Sequence, residues 1–361
     1  MVMKIGILTG GGDCPGLNAV IRGAVKAADR RGWEVFGIND GFDGLIGEPR
    51  CELLTLRRVG DILARGGTIL GTSNRGNPFS FPVKRDGKVE LMDVSEQVVA
   101  NCRRLGLDAL IAVGGDGTLK IGKRLIELGV PVVGVPKTID NDLRGTDVTF
   151  GYTTAVEIVT EALDRLQTTA ESHHRLIVVE VMGRNAGWIA LESGLAGGAN
   201  VILIPEIPFD LEKVNEFLRK RRQDGRAFSI MVVAEGAYPL SGTTVVQASA
   251  QENFGIERLG GIGNVVARQI SEATGIESRV VVLGHVQRGG SPCSFDRILS
   301  SRFGVHAIRL IERGEFGKMV ALNGRSVVAI DIDQAVAQLN LVDPEGDLVV
   351  AAEELGISLG R

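Results

Sequence analysis

Three loops concentrate glycine and carboxylate in a pattern suited to phosphate. The first, Thr9-Gly10-Gly11-Gly12-Asp13-Cys14-Pro15-Gly16-Leu17-Asn18, sets three successive glycines between an apolar run and a helical pattern. Main-chain amides and a helix N-terminus can face an anion there. The second, Gly114-Gly115-Asp116-Gly117-Thr118, places a carboxylate among glycines that let a polyphosphate approach the backbone. Magnesium takes one or two carboxylates plus phosphate oxygens and water, so Asp116 is a sufficient ligand. The third, Pro136-Lys137-Thr138-Ile139-Asp140-Asn141-Asp142, brings a hydroxyl and two carboxylates together. A hydroxyl that attacks phosphorus needs a carboxylate within hydrogen-bond reach to take its proton, and Asp140 or Asp142 is the candidate.

Basic residues cluster beside other apolar runs: His173-His174-Arg175, Met182-Gly183-Arg184, Arg279, and His285 with Arg288-Gly289-Gly290. Together they make a cationic pocket in which arginine forks match a phosphate monoester; singly, each is a surface charge. The bland alternative for the first loop is a tight turn between a strand and a helix, and for Asp116 a solvated turn residue. The first loop is neither a dinucleotide fingerprint, because Pro15 stands where the third glycine belongs, nor a Walker loop, because no Lys-Ser or Lys-Thr follows.

Short apolar runs that precede these loops must position them. Ile5 to Thr9, Val35 to Ile38, Ala109 to Val113, Val132 to Val135, Leu176 to Val181, Val201 to Ile204, Ile230 to Ala234 and Val280 to Leu283 have the length of buried strands. Helical spacing over Leu17 to Arg31 and Val94 to Leu105 alternates with them, which predicts an α/β fold of mostly parallel sheets flanked by helices. Ligands in such sheets bind beyond the carboxyl ends of the strands. Tyr238 to Gly263 is polar and poor in strand signal, and reads as a surface excursion before a helix at Asn264 to Thr274.

The chain has 361 residues, longer than one core usually organises, so two lobes with an active site between them are expected. The expected donor-nucleotide and magnesium lobe is 1–150 plus about 287–337, and the sugar-phosphate lobe about 151–286 plus 338–361. A net charge of -4 argues against nucleic acid or an anionic membrane as partner, and any anion site must be local. Cys14, Cys51, Cys102 and Cys293 are scattered, without metal-ligand spacing, which suits a reducing cytoplasm. The opening run is too soon broken by glycine for a signal peptide, and no stretch has the length of a membrane helix.

The ordered set Gly10-Gly11-Gly12-Asp13, Gly114-Gly115-Asp116-Gly117, Thr138-Ile139-Asp140-Asn141-Asp142, Met182-Gly183-Arg184 and Gly284-His285-Val286-Gln287-Arg288-Gly289-Gly290 resembles the phosphofructokinase family from residue 1 to about Arg309. The resemblance implies transfer of a phosphoryl group from ATP to the 1-hydroxyl of fructose 6-phosphate with Mg2+. By position, Gly11, Gly12, Arg75, Gly76 and Gly114 to Thr118 would hold the donor, with Asp116 on the metal. Asp140 would be the base, Arg184 would stabilise the transferred group, and Thr138 would join them. Ile139, Met182, Gly183, Glu235, His285, Val286 and Gln287 would line the sugar, Arg288 would bind its 6-phosphate, and Arg175 and Arg279 would come from a neighbouring subunit of a homotetramer, with a homodimer as the alternative.

Donor choice would rest on Gly117, which leaves room for a nucleotide α-phosphate, and on Lys137, which matches pyrophosphate users; ATP ranks first, pyrophosphate second and ADP third. Arg22 matches the bacterial effector site, whereas Lys26 and Gln167 replace arginines there, so the usual effectors do not follow. A lipid or NAD kinase would share Gly-Gly-Asp-Gly but leave the other motifs unused. A non-catalytic metabolite sensor would not need Asp116, Asp140 and Arg184 intact, and a third reading takes the glycines and acids as punctuation of a doubly wound sheet.

Overall fold

The computed structural model describes residues 2–74, 76–85, 88–242, 244, 246–248 and 258–361. In chain order the first elements are β1 (Lys4–Thr9), α1 (Leu17–Asp29), β2 (Glu34–Ile38), β3 (Cys51–Leu53), β4 (Phe81–Arg85), β5 (Lys88–Met92), α2 (Ser95–Arg104), β6 (Ala109–Gly114), α3 (Asp116–Glu127) and β7 (Val132–Pro136). There follow α4 (Tyr152–His173), β8 (Leu176–Val181), α5 (Trp188–Ala196), β9 (Val201–Leu203), α6 (Leu211–Gln223), β10 (Ser229–Ala234), β11 (Val246–Ala248), β12 (Arg258–Leu259), α7 (Ile262–Thr274) and β13 (Ser278–Val282). The last are α8 (Ser294–Glu312), β14 (Lys318–Asn323), β15 (Ser326–Asp331), α9 (Ile332–Val336) and α10 (Asp347–Glu354).

The chain forms two compact units. The first comprises Met1–Ile139, Leu143–Thr153 and Arg288–Leu339, the second Asp140–Asp142, Thr154–Gln287 and Asn340–Arg361. The first unit is built on a seven-stranded sheet of order β15-β14-β7-β6-β1-β2-β3, parallel from β14 to β2 and antiparallel at both edges. Its central strands β6 and β7 are buried at every residue, which is why they carry no polar residue and show no alternating pattern. The edge strand β15 is half-exposed. The second unit has a four-stranded parallel sheet of order β13-β8-β10-β9. The α/β expectation holds, and each apolar run singled out in the sequence is a strand within a residue or two of its ends. The Tyr238 to Gly263 excursion does contain regular structure, the short antiparallel pair β11 and β12.

Strand order fixes where each unit can bind ligand. In the first sheet β1 lies between β2 and β6, so the chain leaves β1 to one side and later returns to the other; the loops after β1 and β6 diverge at that switch point. In the second sheet β8 lies between β10 and β13, and the loops after these three strands meet at one end. Both places hold the residues that the sequence marks for chemistry.

Helix α1 is apolar nearly all round, with ten of its residues buried, because β-sheet covers one side and α8 the other. The two helices approach through glycines. A Cβ on Gly23 would lie 2.6 Å from the Ser301 carbonyl oxygen, and one on Gly304 would collide with the Val20 carbonyl. Backbone cannot retreat as a flexible side chain can, so Gly23→Ala is expected to destabilise the chain by about 1–3 kcal/mol. In urea the unfolding midpoint of Gly23→Ala should fall at an unchanged slope. Gly60→Ala, whose added methyl meets nothing nearer than 3.6 Å, should stay within about 0.5 kcal/mol of the parent.

Candidate functional site

At the switch point of the first unit, three strand ends are laced together by main chain. Gly10 N–H donates to the Val113 carbonyl (2.9 Å), Gly11 N–H to the Ser73 carbonyl (3.1 Å) and Lys137 N–H to the Gly114 carbonyl (3.0 Å). Thr118, in the first turn of α3, is 7% exposed and packs against Gly10 and Gly114, where any side chain would collide with it. A Cβ on Gly10, for example, would sit 2.6 Å from the Thr118 hydroxyl oxygen. These glycines are therefore required by packing as well as available to a ligand.

The first loop is held from behind by Asn18, fully buried in α1, whose amide donates to the Arg65 and Gly66 carbonyls (3.0 and 3.3 Å) and accepts from Ile69 N–H (2.8 Å). Thr72 closes the loop by donating to the Gly11 carbonyl. Gly16, with φ of 111°, begins α1 in a conformation that favours glycine. Burial pushes the Cys14 thiol well above its ordinary range despite the nearby Lys137 ammonium, and the thiol donates to the Phe150 carbonyl at 3.7 Å. It is a packed side chain and not a nucleophile.

Asp116 opens α3 with Gly115 as the cap residue, and its carboxylate, 43% exposed, pairs with Lys120 one turn on (2.9 Å). Apart from its chain neighbours and the backbone of its own helix, a Cβ on Gly117 would meet no protein atom within 4 Å, so the space beside this glycine is open. The Lys137 side chain is 4% exposed and donates to the Gly12 carbonyl, which brings its ammonium onto the glycine loop. Gly76 lies against the Asp43 carboxylate, where a side chain would not fit. Arg75 lies outside the described residues.

The third motif is divided between units: Lys137 to Ile139 belong to the first, Asp140 to Asp142 to the second. Thr138 is 8% exposed, with its carbonyl accepting from Thr149 (2.7 Å), and the Ile139 side chain is fully buried, leaving only its main chain to face a ligand. Arg288, in the first unit, donates to the Asp13 carbonyl at 3.2 Å, and a Cβ on Gly12 would lie 2.8 Å from its guanidinium. The structure thus sets Arg288 on the glycine loop.

In the second unit Met182, Gly183 and Arg184 follow β8, Glu235 follows β10 and His285 follows β13. Gly236 N–H donates to the Gly183 carbonyl (3.1 Å), and any side chain at Gly236 would strike the Arg184 carbonyl. Gln287, fully buried, accepts from Met182 N–H (3.2 Å) and donates to the Gly284 carbonyl (3.0 Å), fastening the loop after β8 to the loop after β13. Val286 is 65% exposed. Arg175 and Arg279 sit at the opposite end of the sheet, the starts of β8 and β13, where both pair with Glu277 (3.0 and 2.5 Å). The six-residue length of β8 puts about 20 Å between Arg175 and Met182 along the strand. The second-unit cluster of one chain therefore contains Arg184 but not these two arginines.

Several positioning residues carry no local sequence signal. Asn340 donates through its main chain to the Asp142 carbonyl (2.9 Å) and through its side-chain amide to the Asn141 carbonyl (2.9 Å), and it accepts from the Trp188 indole (2.8 Å). It clamps a loop in which Asn141 has a φ of 51°, uncommon for a residue with a Cβ. Glu206 accepts from Gly187 N–H at the start of α5 (3.0 Å) and from Val342 N–H (2.9 Å), and burial raises its pKa above the usual carboxylate value. Glu180, 3% exposed in mid-strand, accepts from Gly261 and Gly263 N–H (both 2.8 Å), a carboxylate cap on α7. Only the tertiary fold brings these partners together.

Comparison with known proteins agrees with this geometry. Residues 4–311 match the family model described as Phosphofructokinase. An ATP-dependent 6-phosphofructokinase of Chloroflexus aurantiacus is 52% identical over 99% of this chain and 98% of its own. A pyrophosphate–fructose 6-phosphate 1-phosphotransferase of Amycolatopsis methanolica is 54% identical over 95% of this chain and 97% of its own. Among solved structures, Pichia pastoris phosphofructokinase in the T-state superposes with a TM-score of 0.79 at 30% identity, covering 99% of this chain and 37% of that one. With its glycine loops at one switch point and its Met-Gly-Arg and His-Val-Gln loops at another, the chain belongs to the phosphofructokinase family.

Proposed function

We propose that the chain is an ATP-dependent 6-phosphofructokinase that works with Mg2+ as a cytoplasmic homotetramer. The observation that carries the donor assignment is the open space at Gly117 beside the laced ends of β1, β6 and β7. Gly11, Gly12 and Gly114 to Thr118 offer main-chain amides and the start of α3 to a triphosphate, with Arg75 and Gly76 completing the donor set. Asp116 fits Mg2+ held jointly with substrate phosphates. Among the described residues no group of three or more His, Cys, Asp or Glu side chains forms a protein cage, and one carboxylate suffices when the substrate supplies oxygens. Bound there, Mg2+ supplies charge neutralisation on the donor phosphates.

In the reaction the O1–P bond forms as the bond from the γ-phosphorus to the β,γ-bridging oxygen breaks, releasing ADP; the hydroxyl proton passes to Asp140. Arg184 offers positive charge to the transferring group. Thr138 and Ile139, with Met182, Gly183, Glu235, His285, Val286 and Gln287, surround the sugar. Arg288 serves the 6-phosphate, while its bond to Asp13 also ties it to the donor loop. The distance of Arg175 and Arg279 from Met182 within one chain favours their serving a neighbouring protomer, so that the acceptor site is complete only in the oligomer. No described helix is long and apolar enough to cross a membrane. Pyrophosphate is the second reading, favoured by the Lys137 ammonium on Gly12; overall identity does not separate the two, since relatives bearing either name are equally similar.

The direct test is formation of fructose 1,6-bisphosphate from fructose 6-phosphate and MgATP. Asp140→Ala should remain folded and lose about 10²–10⁴-fold in kcat; undiminished turnover would remove Asp140 as the base. Asn340→Ala acts through the Asn141 and Asp142 carbonyls and should lower kcat about 10–100-fold by misplacing the carboxylate loop, while KM for MgATP stays within about twofold. A uniform rise in both KM values at constant kcat would contradict that positioning role.

A further inference from the structure

The first unit carries a cationic face that the reaction leaves unused. Arg302, His306 and Arg309 on α8, and Arg313 at its C-terminal cap, recur at steps of four, three and four residues and so share one side of the helix. That side borders a cavity of about 120 Å³ with His306, Arg309 and Arg313 on its wall and Leu310, Val320 and Val327 along its floor. Val328 of β15, 37% exposed, forms part of its rim.

Two of the nearby acids have partners off this face, and one pairs with Arg313. Glu312 pairs with Arg31 at 2.6 Å while also lying in the field of Arg309 and Arg313, Asp331 pairs with Lys318 at 2.7 Å, and Glu315 pairs with Arg313 at 3.6 Å. Among the described residues Arg302 and Arg309 make no ion pair; Arg302 instead donates to the Arg325 carbonyl (2.6 Å). In a chain of net charge -4 such a concentration is local. His306 Nδ1 lies 3.2 Å from the Arg302 carbonyl. A carbonyl only accepts, so Nδ1 carries the hydrogen and the other ring nitrogen can donate to an anion once protonated. Burial first, and then Arg309, Arg302 and Arg313, lower the proton affinity of this imidazole.

We propose that this face of α8 is a second anion site that takes the phosphate group of a small phosphate ester or free inorganic phosphate. Arg309 and Arg313 supply forked donors from two turns of one helix, His306 adds a third donor as it protonates, and the apolar floor accepts a short carbon skeleton but provides no acceptor that would favour a cation. An anion bound among these groups offsets the part of the lowering that comes from Arg309, Arg302 and Arg313 and favours the imidazolium, so binding and protonation of His306 are coupled.

That coupling gives a readout independent of turnover. The chain has four histidines, so ring-labelled histidine in the full-length protein yields few signals, and His306→Asn identifies the one that matters. Titrated by NMR at constant ionic strength, the His306 pKa should rise by about one unit in saturating inorganic phosphate or glycerol 3-phosphate relative to chloride. Tighter saturation by glycerol 3-phosphate would assign the ester, and equal saturation the free ion. In Arg309→Gln/Arg313→Gln the phosphate-induced rise should vanish while fructose 1,6-bisphosphate formation continues at the parental rate. No rise in the parent, the same rise in chloride, or a rise that survives in the double variant would overturn the proposal.

Discussion

The organising constraint is the close approach of main chain around Thr118. Gly10 at the end of β1 and Gly114 at the end of β6 both lie against this one side chain, with no room for a Cβ at either position. Because β1 and β6 are adjacent parallel strands, with Thr9 opposite Val113 in register, their loops leave the sheet side by side. The tight packing of Thr118 sets the first turn of α3, and with it the position of Asp116 and the open side of Gly117. Lys137 and Arg288 then converge on the same loop, reaching the carbonyls of Gly12 and Asp13. A loop rich in amides and approached by two cations suits an anion.

The second unit meets a comparable requirement with buried side chains. Gln287 ties two loop ends together, Glu180 caps α7, and Glu206 joins the start of α5 to the segment at Val342. Each is a polar group whose burial is offset by hydrogen bonds to main chain. Asn340 extends this arrangement to the carboxylate loop, where the left-handed Asn141 is kept in place by bonds to its own and the following carbonyl. Support of this kind suits loops that present polar groups beyond the strand ends.

Much of this was legible in the sequence because buried parallel strands and glycine-rich turns are local signals. The runs at Ala109 to Val113 and Leu176 to Val181 are apolar at nearly every residue, as strands covered on both faces must be. The loops after them inherit their place from the strand ends, so Gly114 to Thr118 and Met182 to Arg184 could be singled out before any contact was known. Less was legible where partners are far apart in sequence. Nothing local marks Asn340 as the clamp of Asn141, or Asn18 as the brace of residues 65–69. The antiparallel edges β3 and β15 and the ribbon β4–β5 also escaped, since half-exposed strands lack continuous apolar runs. The α8 face escaped because its cations are spread over twelve residues and align only on a helix.

The measurement that bears most directly on this account is donor preference at position 117. With fructose 6-phosphate and magnesium, the parent chain and Gly117→Asp would be compared for turnover with ATP, pyrophosphate and ADP. If the open side of Gly117 receives the nucleotide, the parent turns over ATP best, and the variant loses at least about tenfold in kcat/KM for ATP relative to pyrophosphate, a shift of roughly 1.4 kcal/mol in transition-state binding. A parent that prefers pyrophosphate, or a variant whose ratio is unchanged, would contradict it and give the decision to Lys137.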